Sequence, residues 1–293
     1  MKKFKSAFSL IEISIVILVI GLIVAGITQA SRLVAKSALT SAQAQTSSAP
    51  VAVIDGLVLW LESTSDKSFL EAEAKDGTAL STWNNINPTM VYGIGTGTQT
   101  SATHRPTYKA KGQNNLPVVV FSTATEGEED YFDLPDGSVP YGDADYTAFI
   151  VAQATSACTC SVISSGAASS GNDSNTFGFD GSAAFINTWG TNNYTFGSSL
   201  TGKYHIYSVV YSSGSSRTRD ARVDGTAADQ DTPAGARAST AVHNRVGANN
   251  ASSAAGFLDG EVAEIIMYSK ALKSDEIDDV QKYLSKKWRI KLN

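Results

Sequence analysis

The chain has 293 residues with 28 acidic and 23 basic side chains, a net charge of −5, and only two cysteines and three histidines. Acids and bases are interspersed, so no basic stripe argues for nucleic acid. Two cysteines exclude a disulfide-dense scaffold, and no second ligand pair accompanies Cys158 and Cys160 to complete a zinc site.

The first element is apolar. Lys2, Lys3 and Lys5 precede Ala7-Phe8-Ser9-Leu10-Ile11-Glu12, and from Ile13 to Ile27 only Ser14 is polar. From Phe8 to Ile27 the segment reaches the roughly 20 residues that span a bilayer, with the lysines on the cytoplasmic side. A secretory signal also fits this length, with Thr28-Gln29-Ala30 as its cleavage site. Neither a signal nor a plain anchor accounts for Glu12, because an ionised group at bilayer depth costs several kcal/mol. Good helix formers continue through Arg32–Leu39, and neither Gly nor Pro follows until Pro50. From about Ala38 the composition turns to Ala, Ser, Thr and Gln, which reads as a helix end running into a soluble linker.

Lys5-Ser6-Ala7-Phe8-Ser9-Leu10-Ile11-Glu12 resembles the class III signal of type IV pilins and of the related pseudopilins of type II secretion systems. The resemblance implies a leader of residues 1–7 cut by a prepilin peptidase between Ala7 and Phe8, and N-methylation of Phe8. It gives Glu12 the assembly role, pairing with the new amino terminus of a neighbouring subunit; a buried charge pair tolerates low dielectric better than either charge alone. Ala7 replaces the commoner Gly of the family, and the usual Pro of the membrane segment is missing, so a straighter helix is expected, residues 8–49 comprising this helix and its linker. The partners implied are other pilin subunits along this helix, with the inner membrane before assembly and an extracellular filament, or a periplasmic pseudopilus, after it. Gly21, Ala25 and Gly26 would allow close helix approach, although glycine is also ordinarily tolerated in membrane helices.

Residues 50–293 are different material. Short apolar alternations separated by Gly, Ser, Thr and Asn predict an antiparallel β-sandwich, with strands at 57–61, 117–121, 146–152, 176–179, 205–211 and 260–268. At the end the period becomes helical: Ser274 reads as an N-cap, followed by Ile277, Val280, Tyr283, Leu284 and Trp288 on one face. The whole is mainly β, a long hydrophobic α-helix followed by a sandwich and a short C-terminal helix. Gly56-Leu57-Val58-Leu59-Trp60-Leu61, Trp83-Asn84, Arg105-Pro106-Thr107-Tyr108, Leu116–Phe121, Asp224-Gly225 and Phe257–Tyr268 resemble a concanavalin A-like, laminin-G-like jelly roll. That resemblance implies a head that binds a glycan or surface protein, in some members with Ca2+.

Candidate ligand contacts lie in a polar and aromatic loop region, Asn172, Asp173, Asn175, Asp180, Trp189, Asn192 and Tyr194; such residues also dominate ordinary turns. No compact set of six to eight oxygen ligands is recognisable, so no metal or other cofactor is predicted. Asp259-Gly260-Glu261-Val262-Ala263-Glu264 has the acid spacing of the glycanases of this fold with two residue types exchanged. It coincides with a structural strand, and no catalytic residue is assigned. His205 alternates with Tyr207 on a strand and reads as structural. Cys158 and Cys160 form a small-loop disulfide if a turn separates them; otherwise they stay free or pair with another chain. The expectation is a non-enzymatic, minor or specialised pilin-like subunit whose head serves adhesion. The alternatives are a secretion pseudopilin contacting cargo and, behind it, a membrane-tethered glycanase.

Overall fold

A computed structural model describes residues 10–90, 95–167, 171–181, 184–188, 190–228, 230–249 and 254–293. The expected processing pair Ala7-Phe8 and the candidate Trp189 lie outside the described residues.

Helix α1 runs without interruption from Leu10 to Ser47, about 57 Å at 1.5 Å per residue. Leu10–Ile27 is long and apolar enough to cross a membrane, and none of it is buried against the rest of the chain. The stretch expected as a linker is the last part of this helix. Its hydroxyls are absorbed by the helix itself: Thr46 Oγ1 donates to the Ala42 carbonyl at 3.1 Å and Ser47 Oγ to that of Gln43 at 3.0 Å. Such back-bonding leaves helical geometry available to Ser and Thr. The end of α1 then docks on the head, burying Ala42 and Thr46, and Gln43 Nε2 donates to the Thr64 carbonyl at 3.0 Å.

Seventeen strands follow among the described residues. They are β1 (Leu57–Glu62), β2 (Thr78–Ala79), β3 (Thr82–Trp83), β4 (Gly97–Thr98), β5 (Thr107–Lys109), β6 (Val118–Phe121), β7 (Phe132–Leu134), β8 (Tyr146–Ala154) and β9 (Thr159–Gly166). The rest are β10 (Ser174–Asp180), β11 (Phe185–Thr188), β12 (Asn193–Phe196), β13 (His205–Ser212), β14 (Thr218–Val223), β15 (Thr226–Ala227), β16 (Asn244–Val246) and β17 (Gly260–Tyr268). One sheet has the order β15-β14-β13-β8-β17-β6-β5-β2, with β1 also paired to β17; the other runs β12-β11-β10-β9-β16-β7-β4-β3. All named pairings are antiparallel, so each strand offers one face to the core and one outward.

The inner faces meet over Trp83, Phe121, Phe132, Phe177, Phe179, Phe185 and Tyr207, all essentially without solvent exposure. A large apolar side chain buried in this way contributes about 1.5–3 kcal/mol. A second core lies on the outer face of the first sheet, where Trp60, Phe149, Ile266 and Tyr268 meet helix α2 (Ser274–Trp288) through Val280, Leu284 and Trp288. The N-cap of α2 is Lys273 rather than the expected Ser274. Lys273 is already extended, and the Glu276 carboxylate accepts its backbone N–H at 2.8 Å, the half of a capping box that the third helical residue supplies.

A register shift in β17 between Val262 and Glu264 has a larger consequence. Val262 and Ile265 face the inner core while Ala263 contributes to the outer one. The extra residue turns Glu264 outward as well, toward α2.

Candidate functional site

The outer face of the second sheet carries an open groove of about 550 Å³. Its floor follows from the register of four strands. Ser161 lies opposite Gly178, Gly178 opposite Ile186, and Ile186 opposite Thr195, which makes one cross-strand row. Thr176, Thr188 and Asn193 form the adjacent row in the same way. Four strands at about 4.8 Å spacing make a surface some 14 Å long. Ser174, Asp180 and Thr159 continue it along the strands, and Gly190, Asn249 and Gly256 close its rim. The lining is mostly hydroxyl and amide, with Ile186, Phe179, the disulfide-bonded Cys160, one carboxylate and no cation among the described residues. Gly178 is obligatory here, since a Cβ would come within 2.0 Å of the Cys160 carbonyl oxygen.

The opposite side of the same strands is tied together by buried polar side chains. Asn187, fully buried, accepts the Tyr146 hydroxyl at 2.8 Å and donates to Asn175 Oδ1 at 3.1 Å. Arg219, 1% exposed, donates from Nη1 to the carbonyls of Asn187 at 3.0 Å and Asn192 at 3.2 Å. Its other nitrogens hold Asp231, and the guanidinium lies over the Tyr194 ring. Arg237 is equally buried, stacked on Tyr146 and bonded to the carbonyls of Pro140 and Ala144. Burial pushes its pKa down, and the neighbouring Tyr146, Tyr211 and Asp143 oppose that shift.

The structure divides the candidate loop residues. Asp180 lines the groove. Asn172 and Asn192 are bonded to each other at 2.5 Å; Asn172 also holds Ala236 and Thr191, clamping three loops beside the rim. Asp173 sits at the same turn, its carbonyl accepting from Ala167. Asn175 and Tyr194 are corrections to the surface set. Asn175 has no exposure and Tyr194 8%, both inward because they fall on the core parity of β10 and β12. The groove threonines were the residues missed. Their only signal was small polar residues at alternate positions between aromatics, as in Asn193-Tyr194-Thr195-Phe196.

Cys158 and Cys160 are disulfide-bonded, with Cα atoms 5.3 Å apart. The bond sets the edge of the groove at Thr159 and Cys160. The acids of the 259–264 motif separate. Glu264 is 1% exposed and accepts from Trp60 Nε1 at 2.7 Å, Trp288 Nε1 at 2.8 Å and the Tyr283 hydroxyl at 2.8 Å. Glu261 instead pairs with Lys109 at 2.8 Å and accepts from Tyr204 at 2.6 Å. His205, as expected, is structural, bonded through Nδ1 to Asp224 at 2.6 Å. No group of three or more His, Cys, Asp or Glu that could hold a metal occurs among the described residues.

A family model described as the concanavalin A-like lectin/glucanases superfamily, of laminin-G type, matches residues 126–278. No curated protein matches the sequence. Among solved structures, domain 4 of the extracellular arabinanase AbnA from Geobacillus stearothermophilus, in complex with arabinotriose, is 18% identical. That likeness covers 60% of this chain and 81% of that one, with a TM-score of 0.43. A mutant of Trypanosoma rangeli sialidase displaying trans-sialidase activity is 14% identical over 81% of this chain and 34% of its own, with a TM-score of 0.46. The K499G mutant of NanB sialidase from Streptococcus pneumoniae is 14% identical over 48% of this chain and 24% of its own, with a TM-score of 0.38. The chain thus spans a quarter to a third of the sialidase chains it resembles.

Proposed function

The chain belongs to the concanavalin A-like lectin/glucanases superfamily, and from that premise we propose that it is a filament subunit of the type IV pilin kind. Its laminin-G-like head recognises a surface glycan through the outer-face groove. The observation that carries this reading is the two-part helix α1: apolar and uncovered on all sides over Leu10–Ile27, then built into the head from Ala42 onward. A simple tether has no need of a rigid joint, whereas a subunit that positions its head on a filament does. Glu12 lies in the first turn of α1, on the uncovered stretch. Packing of many such helices would bury it, and pairing with a neighbour's terminal amine would offset that cost.

The groove favours a sugar as the ligand because hydroxyl and amide groups set in cross-strand rows complement a chain of hydroxyls. A recognition role without hydrolysis is supported by Glu264, which lies beneath α2 and is committed to four donors. The test is Glu12→Ala in the producing cell. Leader removal is expected to proceed while the subunit is lost from sheared filaments; normal incorporation would overturn the assembly role.

A further inference from the structure

A second cleft, of about 450 Å³, opens on the outer face of the other sheet between Lys109, Lys111, Gln153, Lys203 and Tyr204, with Glu261 among its lining residues. Lys109 ends β5, Lys111 follows in the loop toward β6, and Lys203 sits in the turn before β13, so two separate connections converge here. In a chain of net charge −5 this is a local surplus of cations. The Glu261 carboxylate cancels only one of them: it holds Lys109 Nζ at 2.8 Å and accepts the Tyr204 hydroxyl at 2.6 Å. Burial, reinforced by Glu261, raises the Tyr204 pKa far above its ordinary value, so the hydroxyl remains a donor. Lys111 and Lys203 are exposed and make no ion pair among the described residues.

We propose that this cleft binds a carboxylated saccharide. Lys111 and Lys203 hold the sugar carboxylate, and Gln153 and the Glu261 carboxylate meet its hydroxyls. Glu261 decides between anions. A fixed carboxylate repels a phosphate dianion more than a sugar carboxylate, yet it is a good acceptor for sugar hydroxyls. The cleft and the groove therefore differ in ligand class, one cationic and one without cations among the described residues. The inference does not depend on filament assembly or on the groove.

The experiment is calorimetric titration of the full chain in nonionic detergent with tetragalacturonate, its methyl ester and inorganic phosphate. Tetragalacturonate is expected to bind, its ester at least ~10-fold more weakly, and phosphate without measurable affinity. Lys111→Glu with Lys203→Glu should cost at least ~10-fold, and the charge-matched control Lys67→Glu with Lys282→Glu should leave binding within about twofold. Four results would overturn the proposal: no binding of the acid, equal binding of the ester, equal loss in both double variants, or phosphate binding as tightly as the acid. Unfolding curves of the two double variants, expected to match wild type, confirm that the fold is not what changed.

Discussion

Lys287 Nζ lies 2.8 Å from Glu62 Oε2, and neither side chain has any solvent exposure. The same ammonium reaches Glu264 Oε2 at 3.1 Å and Thr46 Oγ1 at 2.9 Å, so one buried cation joins α2, β1, β17 and the end of α1. Removing one partner from such a set leaves uncompensated charge in a dry site. Lys287→Met is expected to destabilise the head by about 3–5 kcal/mol, and Thr46→Val, which removes a neutral partner, by about 1 kcal/mol. Urea unfolding followed by tryptophan fluorescence checks both, because Trp60 and Trp288 donate to Glu264 in this cluster. Equal losses for the two variants would contradict the ranking.

Asp130 makes stability depend on pH in the mildly acidic range. Burial pushes its pKa up to about 6, while the Ser122 N–H and the nearby His104 pull it down. The folded state therefore binds the proton more tightly than the unfolded chain. The resulting stabilisation is complete below the ordinary value near 3.8 and is lost as pH rises through 6. Stability contributed by this group should fall by up to about 3 kcal/mol between pH 4 and pH 7. Asp130→Asn keeps an oxygen for Ser122 and removes the titration. Unfolding measured at both pH values should show a shallower fall for the variant than for wild type.

The architecture was legible because period-2 alternation and the switch to helical spacing at Ile277 are local signals, and the six strands expected from them coincide with β1, β6, β8, β10, β13 and β17 to within two residues at either end. The end of α1 was not legible. Ser, Thr, Gln and Ala read equally as linker or as polar helix, and Lys287 and Gln43, which decide the matter through Thr46 and Thr64, are supplied by contacts far apart in sequence. The groove was hidden for a similar reason. Asn175 and Tyr194 look like surface turn chemistry, but strand parity turns them inward and brings out Thr176, Thr195 and Asn193 instead. Parity becomes certain only when the pairing register is known.

A bulky side chain on the outward row tests the groove without touching the core. Thr195 is exposed and lines the groove opposite Ile186. Thr195→Trp should fill it and abolish binding of neutral oligosaccharides on a glycan array, while changing stability by no more than about 0.5 kcal/mol. Unchanged glycan retention by a folded Thr195→Trp head would remove the groove as the recognition site. Binding of tetragalacturonate should be unaffected, since Lys111 and Lys203 line a separate cleft on the other sheet.

Arg219 predicts how tightly the groove wall is held from behind. Its Nη1 satisfies the carbonyls of Asn187 and Asn192, which bracket the turn between β11 and β12, and its Nε and Nη2 hold Asp231. Lysine can keep the charge but not the fork, so Arg219→Lys leaves at least one buried carbonyl without a donor. A loss of about 1–3 kcal/mol is expected. Asp231→Asn should cost less, because the Asp231 side chain is 26% exposed and water replaces part of the interaction. The groove readout separates the two further. Arg219→Lys should weaken glycan binding by loosening Thr188 and Asn193 at the ends of their strands, whereas Asp231→Asn, acting only through the arginine, should leave it near wild type.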